Sequence, residues 1–217
     1  MKKDRSSLVL ARVKPAVIVV GSFAVLLVII QLVNSAMASS RLDARFGIVP
    51  RTWDGLVGVL TAPLLHLNWA HLLSNLLPLL IFGFLIMLGT ARQFVAVTAL
   101  VWLVSGLGVW LFGPGNSATI GASGLVFGWL AYLIARGVFT RSFGQILLGV
   151  ALLVIWGSLF WTGIVKVAVA DITGVVTISW QAHLFGALGG VLAAFLVAKA
   201  DGPRKPKTAT PAISQSF

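Results

Sequence analysis

The residues of this chain that can do chemistry are one serine motif and three histidines, set in a very apolar sequence. The histidines are His66, His71 and His183, and Asn75 follows His71 by four residues, so these two share one face of a helix. Ser123 beside an imidazole can act as a nucleophile with its general base. Side-chain N–H groups and the free backbone N–H groups at a helix start can bind the developing oxyanion. These residue types favour acyl transfer at a serine.

The serine lies in the short stretch Gly121-Ala122-Ser123-Gly124. Its glycines let the backbone turn sharply and let a neighbouring segment come close. The stretch differs from the Gly-x-Ser-x-Gly elbow of soluble hydrolases, because position 125 is leucine. Alone it is a weak signal, since a serine in a membrane helix commonly hydrogen-bonds to its own backbone or to a neighbouring helix.

The remaining polar groups have structural as well as functional interpretations. A histidine within a membrane can serve packing or catalysis, and for His66 we favour a hydrogen-bond donor that fixes a loop. Asp171 can orient a triad histidine, but a solvated loop aspartate is the simpler interpretation. The chain has no cysteine. Three histidines without a nearby carboxylate lack the spacing of a metal site, so we expect no metal and no cofactor.

The composition predicts an integral membrane protein. Hydrophobic residues make up 59% of the 217 residues and charged residues 10%, with a mean hydropathy of +1.02. A globular domain carries about 25% charged residues. A chain this apolar cannot cover its surface with polar groups in water. The net charge of +11 is explained better by basic loops beside lipid-buried helices than by nucleic-acid binding.

Six stretches approach the roughly 20 apolar residues that a membrane span needs. We therefore expect an all-α, polytopic bundle of six transmembrane helices in a membrane domain at 15–200. A basic, cytoplasmic N-terminus at 1–14 precedes it, and a cytoplasmic, disordered tail is expected at 201–217. The basic start resembles a signal peptide, but its apolar run is too long, so we expect a retained helix. The six spans are about Pro15–Val33, His71–Gly89, Phe94–Phe112, Ser123–Phe139, Gly144–Ile164 and Trp180–Lys199.

The distribution of charge predicts the orientation. An even number of spans puts both termini on one side, and that side holds 12 of the 16 Lys and Arg residues. The positive-inside rule then places both termini in the cytoplasm of a cell whose plasma membrane the chain spans. Ser123, His183, His71 and Asn75 come to lie at similar depth in the outer half of the bilayer, on three separate helices. The apolar first outer connection, at about 34–70, predicts an insertion in or on the outer leaflet. The third outer connection is predicted at about 165–179.

Small residues recur every four positions on the fourth and sixth predicted helices. They are Gly124 and Gly128 on the fourth, and Ala182, Gly186 and Gly190 on the sixth. Such faces let helix backbones pack closely in lipid, and alone they indicate nothing more than tight packing. Packed against each other, the two faces would bring Ser123 and His183 within reach.

Three motifs together resemble the rhomboid family of intramembrane serine proteases. They are His66-x4-His71-x3-Asn75, Gly121-Ala-Ser123-Gly124 and Ala182-His183-x2-Gly186-x3-Gly190, in that order along the chain. The six-helix count resembles the minimal bacterial form of the family. The resemblance covers nearly all of the chain except its termini.

The resemblance implies a catalytic dyad of Ser123 and His183 without an acid. His71, Asn75 and the Ser123 backbone would line the oxyanion hole. Phe127 stands where many members have a tyrosine that stacks on the histidine, so the aromatic face remains and the hydroxyl is gone.

Two further departures from the family pattern lie away from these residues. Asp54 follows Trp53 where many members have arginine, and Met87 stands where many have glutamate. The fifth helix and the third outer connection are the segments that the resemblance expects to move as substrate enters, with Trp156 and Trp161 as candidate gate residues.

The resemblance also implies the substrate, a transmembrane helix of another membrane protein that is cut near its outward end. A helix hides its scissile carbonyls in internal hydrogen bonds, so it must unwind locally before a serine can attack. Substrates should carry Gly, Pro or other helix-weakening residues near the cut.

Two other functions fit a membrane protein of this size. A catalytically inactive rhomboid-like protein would hold client transmembrane helices, but it would not need Ser123 and His183. A small transporter would need polar residues that continue to the cytoplasmic side, and the inner halves of the predicted helices are almost wholly apolar. The sequence favours the protease, and it leaves the oligomeric state open.

Overall fold

A computed structural model describes residues 5–37, 42–115, 118–172 and 179–202, and these residues form an all-α bundle. The helices are α1 (Arg5–Ala36), α2 (Leu42–Phe46), α3 (Trp53–Thr61), α4 (Trp69–Met87), α5 (Ala91–Phe112), α6 (Ser123–Thr140), α7 (Phe143–Trp156), α8 (Ser158–Phe160), α9 (Val167–Ile172) and α10 (Trp180–Asp201). A 3-10 turn at Ala62–Leu64 follows α3, and a π-helix at Trp161–Lys166 joins α8 to α9. The prediction of an all-α, polytopic helical bundle is confirmed. The predicted tail at 201–217 falls almost entirely outside the described residues.

Five helices of the described chain are long and apolar enough to cross a membrane: α1, α4, α5, α6 and α10. The fifth predicted span is instead a bent pair of helices, in which 143–156 and 158–171 meet at 51°. The span predicted at about Gly144–Ile164 is therefore broken, and the start of the third outer connection predicted at about 165–179 is helical in the structure. The chain stays helical through Ile172, and its hydrogen-bond pattern widens to that of a π-helix at Trp161–Lys166.

The segment between α1 and α4 is tied to the bundle and also carries an exposed apolar face. Trp102 and Trp110 of α5 donate their indole N–H groups to the carbonyls of Val59 and Thr52, each over 2.8 Å. Arg51 donates to two carbonyls at the end of α5. The apolar side chains of α3 that point away from the bundle recur at helical spacing and are Trp53, Val57 and Leu60. This arrangement suits a helix that lies on a membrane surface.

Helix α6 is the centre of the bundle, because it packs against α4, α5, α7 and α10. Its large side chains Trp129, Leu130 and Tyr132 are buried. Its contact with α10 is made by glycines, as the small-residue faces in the sequence suggest. A Cβ at Gly186 would collide with the carbonyl of Gly124, and a Cβ at Gly190 with that of Gly128. The two backbones therefore touch directly.

The half of the bundle away from Ser123 is less apolar than the sequence suggests. In the second half of α6, the buried Tyr132 hydroxyl accepts a hydrogen bond from Gln93 of α5 over 2.7 Å. Arg136 donates to the same hydroxyl and pairs with Asp201 of α10. Gln93, Tyr132, Arg136 and Asp201 thus form a polar cluster that joins three helices, and no sequence motif marks it.

Replacing Tyr132 by phenylalanine should destabilise the protein by about 1–3 kcal/mol, because Gln93 and Arg136 then lose a buried partner. Unfolding in detergent micelles measures the change. The control Thr162→Val removes a hydroxyl from an exposed position and should shift stability by less than about 0.5 kcal/mol. Equal stability of Tyr132→Phe and wild type would show that the cluster does not hold the helices together.

Candidate active site

Ser123 is the first residue of α6, and the turn before it depends on a glycine. Gly121 has φ +117°, a left-handed conformation that L side chains rarely adopt. Its N–H donates to the carbonyl of Ala62 over 2.9 Å, which ties the turn to the segment after α3. A Cβ at Gly121 would come within 2.7 Å of the His71 ring. Gly121 is thus required for its backbone conformation and for the close approach of His71.

The structure brings Ser123 and His183 together. The Nε2 atom of His183 lies 2.8 Å from the Oγ atom of Ser123. On the other side of the ring, Nδ1 lies 2.7 Å from the carbonyl oxygen of Gly163. A carbonyl can only accept a hydrogen bond, so Nδ1 carries the proton and Nε2 is left as the acceptor for the Ser123 hydroxyl. This is the tautomer that a general base needs.

The ring of His183 is held in a fixed plane by Phe127, one turn after Ser123 on α6. The two rings stack with centroids 4.1 Å apart and an interplanar angle of 3°. Phe160 packs its ring edge-on against Phe127. The stacking that the resemblance implies for this position is therefore present without a tyrosine hydroxyl.

Close packing of α6, α5 and α10 sets the distance between the serine and the histidine. Gly124 leaves room for Ser105 of α5, whose hydroxyl donates to the carbonyl of Ala182 over 2.9 Å. Gly186, three residues after His183, rests on the carbonyl of Gly124. A side chain at Gly186 would push the helices that carry Ser123 and His183 apart, and one at Gly124 would displace the Ser105 hydroxyl.

Of the two α4 residues expected to bind an oxyanion, His71 lies at the serine turn and Asn75 follows it on the same face of the helix. His71 abuts Gly121, as described above, and Asn75 is buried one turn further along α4. The Asn75 amide donates one N–H to the carbonyl of His71 over 2.8 Å. An amide nitrogen carries two N–H groups, so a second donor remains for a ligand.

His66 accepts a hydrogen bond at the serine turn, a role beside the loop-fixing donor that the sequence suggested. The backbone N–H of Ala122 donates to its Nε2 atom over 3.4 Å. Burial, with a smaller contribution from His71, lowers the pKa of His66 to about 3. The ring is therefore neutral at physiological pH and can accept. Its edge also packs against the His71 ring, with centroids 5.1 Å apart.

Sequence reasoning missed the Gly163 carbonyl and Ser105, and it offered Asp171 as one alternative for orienting the histidine. The Asp171 carboxylate accepts the indole N–H of Trp180 over 3.0 Å, while Gly163 holds the His183 ring. Gly163 belongs to the π-helix, a distortion that is often found at functional sites. A glycine at the outer end of the fifth predicted helix is the only sequence signal that pointed there.

The two tryptophans expected at a substrate gate differ in their surroundings. Trp156 ends α7 and packs edge-on against Phe82 of α4, with ring centroids 5.5 Å apart. Trp161 starts the π-helix and is 59% exposed. Both lie beside the bend of the broken span: Trp156 is seven residues before Gly163, and Trp161 is two residues before it.

The bundle and its serine site define a member of the rhomboid family. The Rhomboid domain model matches residues 53–200, so the chain belongs to this family of multi-pass membrane proteins. Its members are in general intramembrane serine proteases, and some are inactive.

Three relatives show how far the similarity extends. An uncharacterized protein of Mycobacterium tuberculosis is 44% identical over 181 residues, which cover 81% of this chain and 72% of that protein. A second, of Mycobacterium leprae, is 41% identical over 181 residues, or 81% and 69% of the two chains. Rhomboid-like protein 11, chloroplastic, of Arabidopsis thaliana is 32% identical over 154 residues, or 64% and 51%.

Proposed function

We propose that this chain is an intramembrane serine endopeptidase that uses a Ser123–His183 dyad. The observation that carries the proposal is the short contact between His183 Nε2 and Ser123 Oγ, with the far side of the ring held by the Gly163 carbonyl. A backbone carbonyl takes the orienting place that a carboxylate has in a triad.

The reaction follows from the tautomer of His183. Ser123 Oγ attacks the scissile carbonyl of the substrate while its proton passes to Nε2. The imidazolium gives that proton to the leaving amine as the peptide C–N bond breaks, which leaves an acyl group on Ser123. A water molecule then attacks the ester, again with Nε2 as base, and the carboxylic acid product leaves with Ser123 restored.

The negative charge of each tetrahedral intermediate needs hydrogen-bond donors. The free backbone N–H groups at the start of α6, that of Ser123 included, point outward from the helix end and carry its positive dipole. The His71 ring lies against the same turn. The second N–H of Asn75, one helical turn further along α4, is a further donor. Together these groups form the proposed oxyanion hole.

The substrate that fits this site is a transmembrane helix of another membrane protein. Ser123 lies at one end of α6, so the bond that is cut lies near one end of the substrate helix. By the distribution of basic residues, that end faces away from the cytoplasm and both termini of this chain face into it. The proposed location is the plasma membrane, with lipid and client helices as partners.

Two assays on purified protein test the proposal. In liposomes, wild type should cleave a transmembrane substrate that carries Gly or Pro near the outward end, and Ser123→Ala should not. In detergent, a fluorophosphonate should label wild type at Ser123 and leave Ser123→Ala unlabelled. Folded wild type that neither cleaves nor labels would contradict the proposal and favour an inactive rhomboid-like binder of client helices.

A further inference from the structure

The last turns of α1 carry a polar face that the Rhomboid domain match does not include, because the match starts at residue 53. Gln31, Asn34 and Ser35 follow at spacings of three and four, so they lie on one side of the helix. Gln31 is only 2% exposed and Asn34 only 1%. Buried amides in a membrane helix are costly unless they are bonded, so such a face indicates a role.

A cavity of about 320 Å³ lies between this face and the start of α4. Asn68 and Trp69 close it on the α4 side. The lining side chains that the structure describes are all uncharged. The Nε2 atom of Gln31 donates to Ser35 over 3.3 Å, but its carbonyl oxygen Oε1 is buried without a hydrogen-bond partner. A buried acceptor beside the cavity therefore lacks a donor.

The position of the cavity indicates which kinds of ligand can reach it. Leu32 and Val33, next to the polar face on α1, are about half exposed, as lipid-facing side chains are. Trp69 is 39% exposed, and tryptophan favours the level of the lipid headgroups. The cavity thus lies at a helix end beside lipid, where headgroups are the most concentrated small polar molecules.

We propose that this cavity binds the headgroup of a phospholipid whose ammonium group can donate hydrogen bonds, as that of ethanolamine can. Gln31 Oε1 accepts the donor once a headgroup has entered. A choline headgroup has no N–H or O–H group and cannot serve. The volume of the cavity is near the lower limit for small-molecule pockets, which span about 300–1,000 Å³.

A bound headgroup would also lie against residues that hold the backbone of His66 and His71. Asn34 donates to the carbonyl of His66 over 3.4 Å. Asn68 caps α4 by accepting the backbone N–H of His71 over 2.9 Å. The same residues that line the cavity therefore hold both histidines. The proposal itself concerns binding and does not depend on proteolysis.

Competition between lipids in native mass spectrometry of the delipidated protein tests the proposal. With equal acyl chains, phosphatidylethanolamine should bind wild type about five-fold better than phosphatidylcholine, as one hydrogen bond is worth about 1 kcal/mol. The preference should fall stepwise through the N-methylated ethanolamines. It should vanish in Gln31→Leu and persist in Ile29→Leu, which changes a lipid-facing side chain of the same helix.

Three results would overturn the proposal. The first is equal binding of the ethanolamine and choline lipids by wild type, which needs no variant and so does not depend on folding. The second is an unchanged preference in Gln31→Leu. The third is full competition by free ethanolamine at millimolar concentration, which would make a soluble amine the ligand instead of a lipid.

Discussion

Replacing His183 by glutamine should lower cleavage of a transmembrane substrate by at least about 10³-fold. Glutamine can still hydrogen-bond to Ser123, but it cannot take up the hydroxyl proton at neutral pH. The serine then attacks as a neutral hydroxyl, which is a weak nucleophile. Fluorophosphonate labelling of Ser123 should fall with cleavage, because both reactions need the same proton transfer to Nε2.

The matched control is Phe127→Tyr, because Phe127 stacks on the face of the His183 ring and does not contact Nε2 through a polar atom. The stacked geometry, with ring planes 3° apart, is retained by a tyrosine. Cleavage should therefore stay within a few-fold of wild type. If His183→Gln instead cleaved and labelled as wild type does, the contact between Nε2 and Oγ would have no catalytic role, and another base would have to serve Ser123.

The parts of the fold that follow from hydropathy and side-chain spacing could be predicted from the sequence. Long apolar runs predict spans, and the four-residue repeats of small residues correctly indicated that α6 and α10 pack closely. The positions of Ser123 and His183 at similar depth followed from helix boundaries alone. Each of these features depends on the order of residue types within a single helix, and the sequence gives that order directly.

The features that could not be predicted depend on backbone atoms or on contacts between helices. The orienting group on His183 is the carbonyl of Gly163, and every residue has a carbonyl. The 51° bend within the fifth span falls at Gly157 and Ser158. Such a pair permits a kink but does not specify its angle. His66 accepts from the N–H of Ala122, a partner 56 positions away whose identity no local pattern gives.

Replacing Gly186 by alanine should impair both stability and catalysis. The added Cβ would meet the carbonyl, the carbonyl carbon and the Cα of Gly124, all backbone atoms that cannot rotate away. Helices α6 and α10 must then separate. Overpacking of this kind costs about 1–3 kcal/mol, and a shift of about 1 Å between Ser123 and His183 can lower the rate about 10²-fold.

Gly21→Ala on α1 is the matched control, because a Cβ at Gly21 meets nothing within 4 Å. Gly21 lies in the middle of the long helix α1, so its change to alanine should be neutral or slightly stabilising, because alanine favours a helix. Thermal unfolding and cleavage of the two variants, measured side by side, separate close packing from helix propensity. Equal behaviour of Gly186→Ala and Gly21→Ala would mean that α6 and α10 do not touch at Gly124, and the distance between Ser123 and His183 would need another explanation.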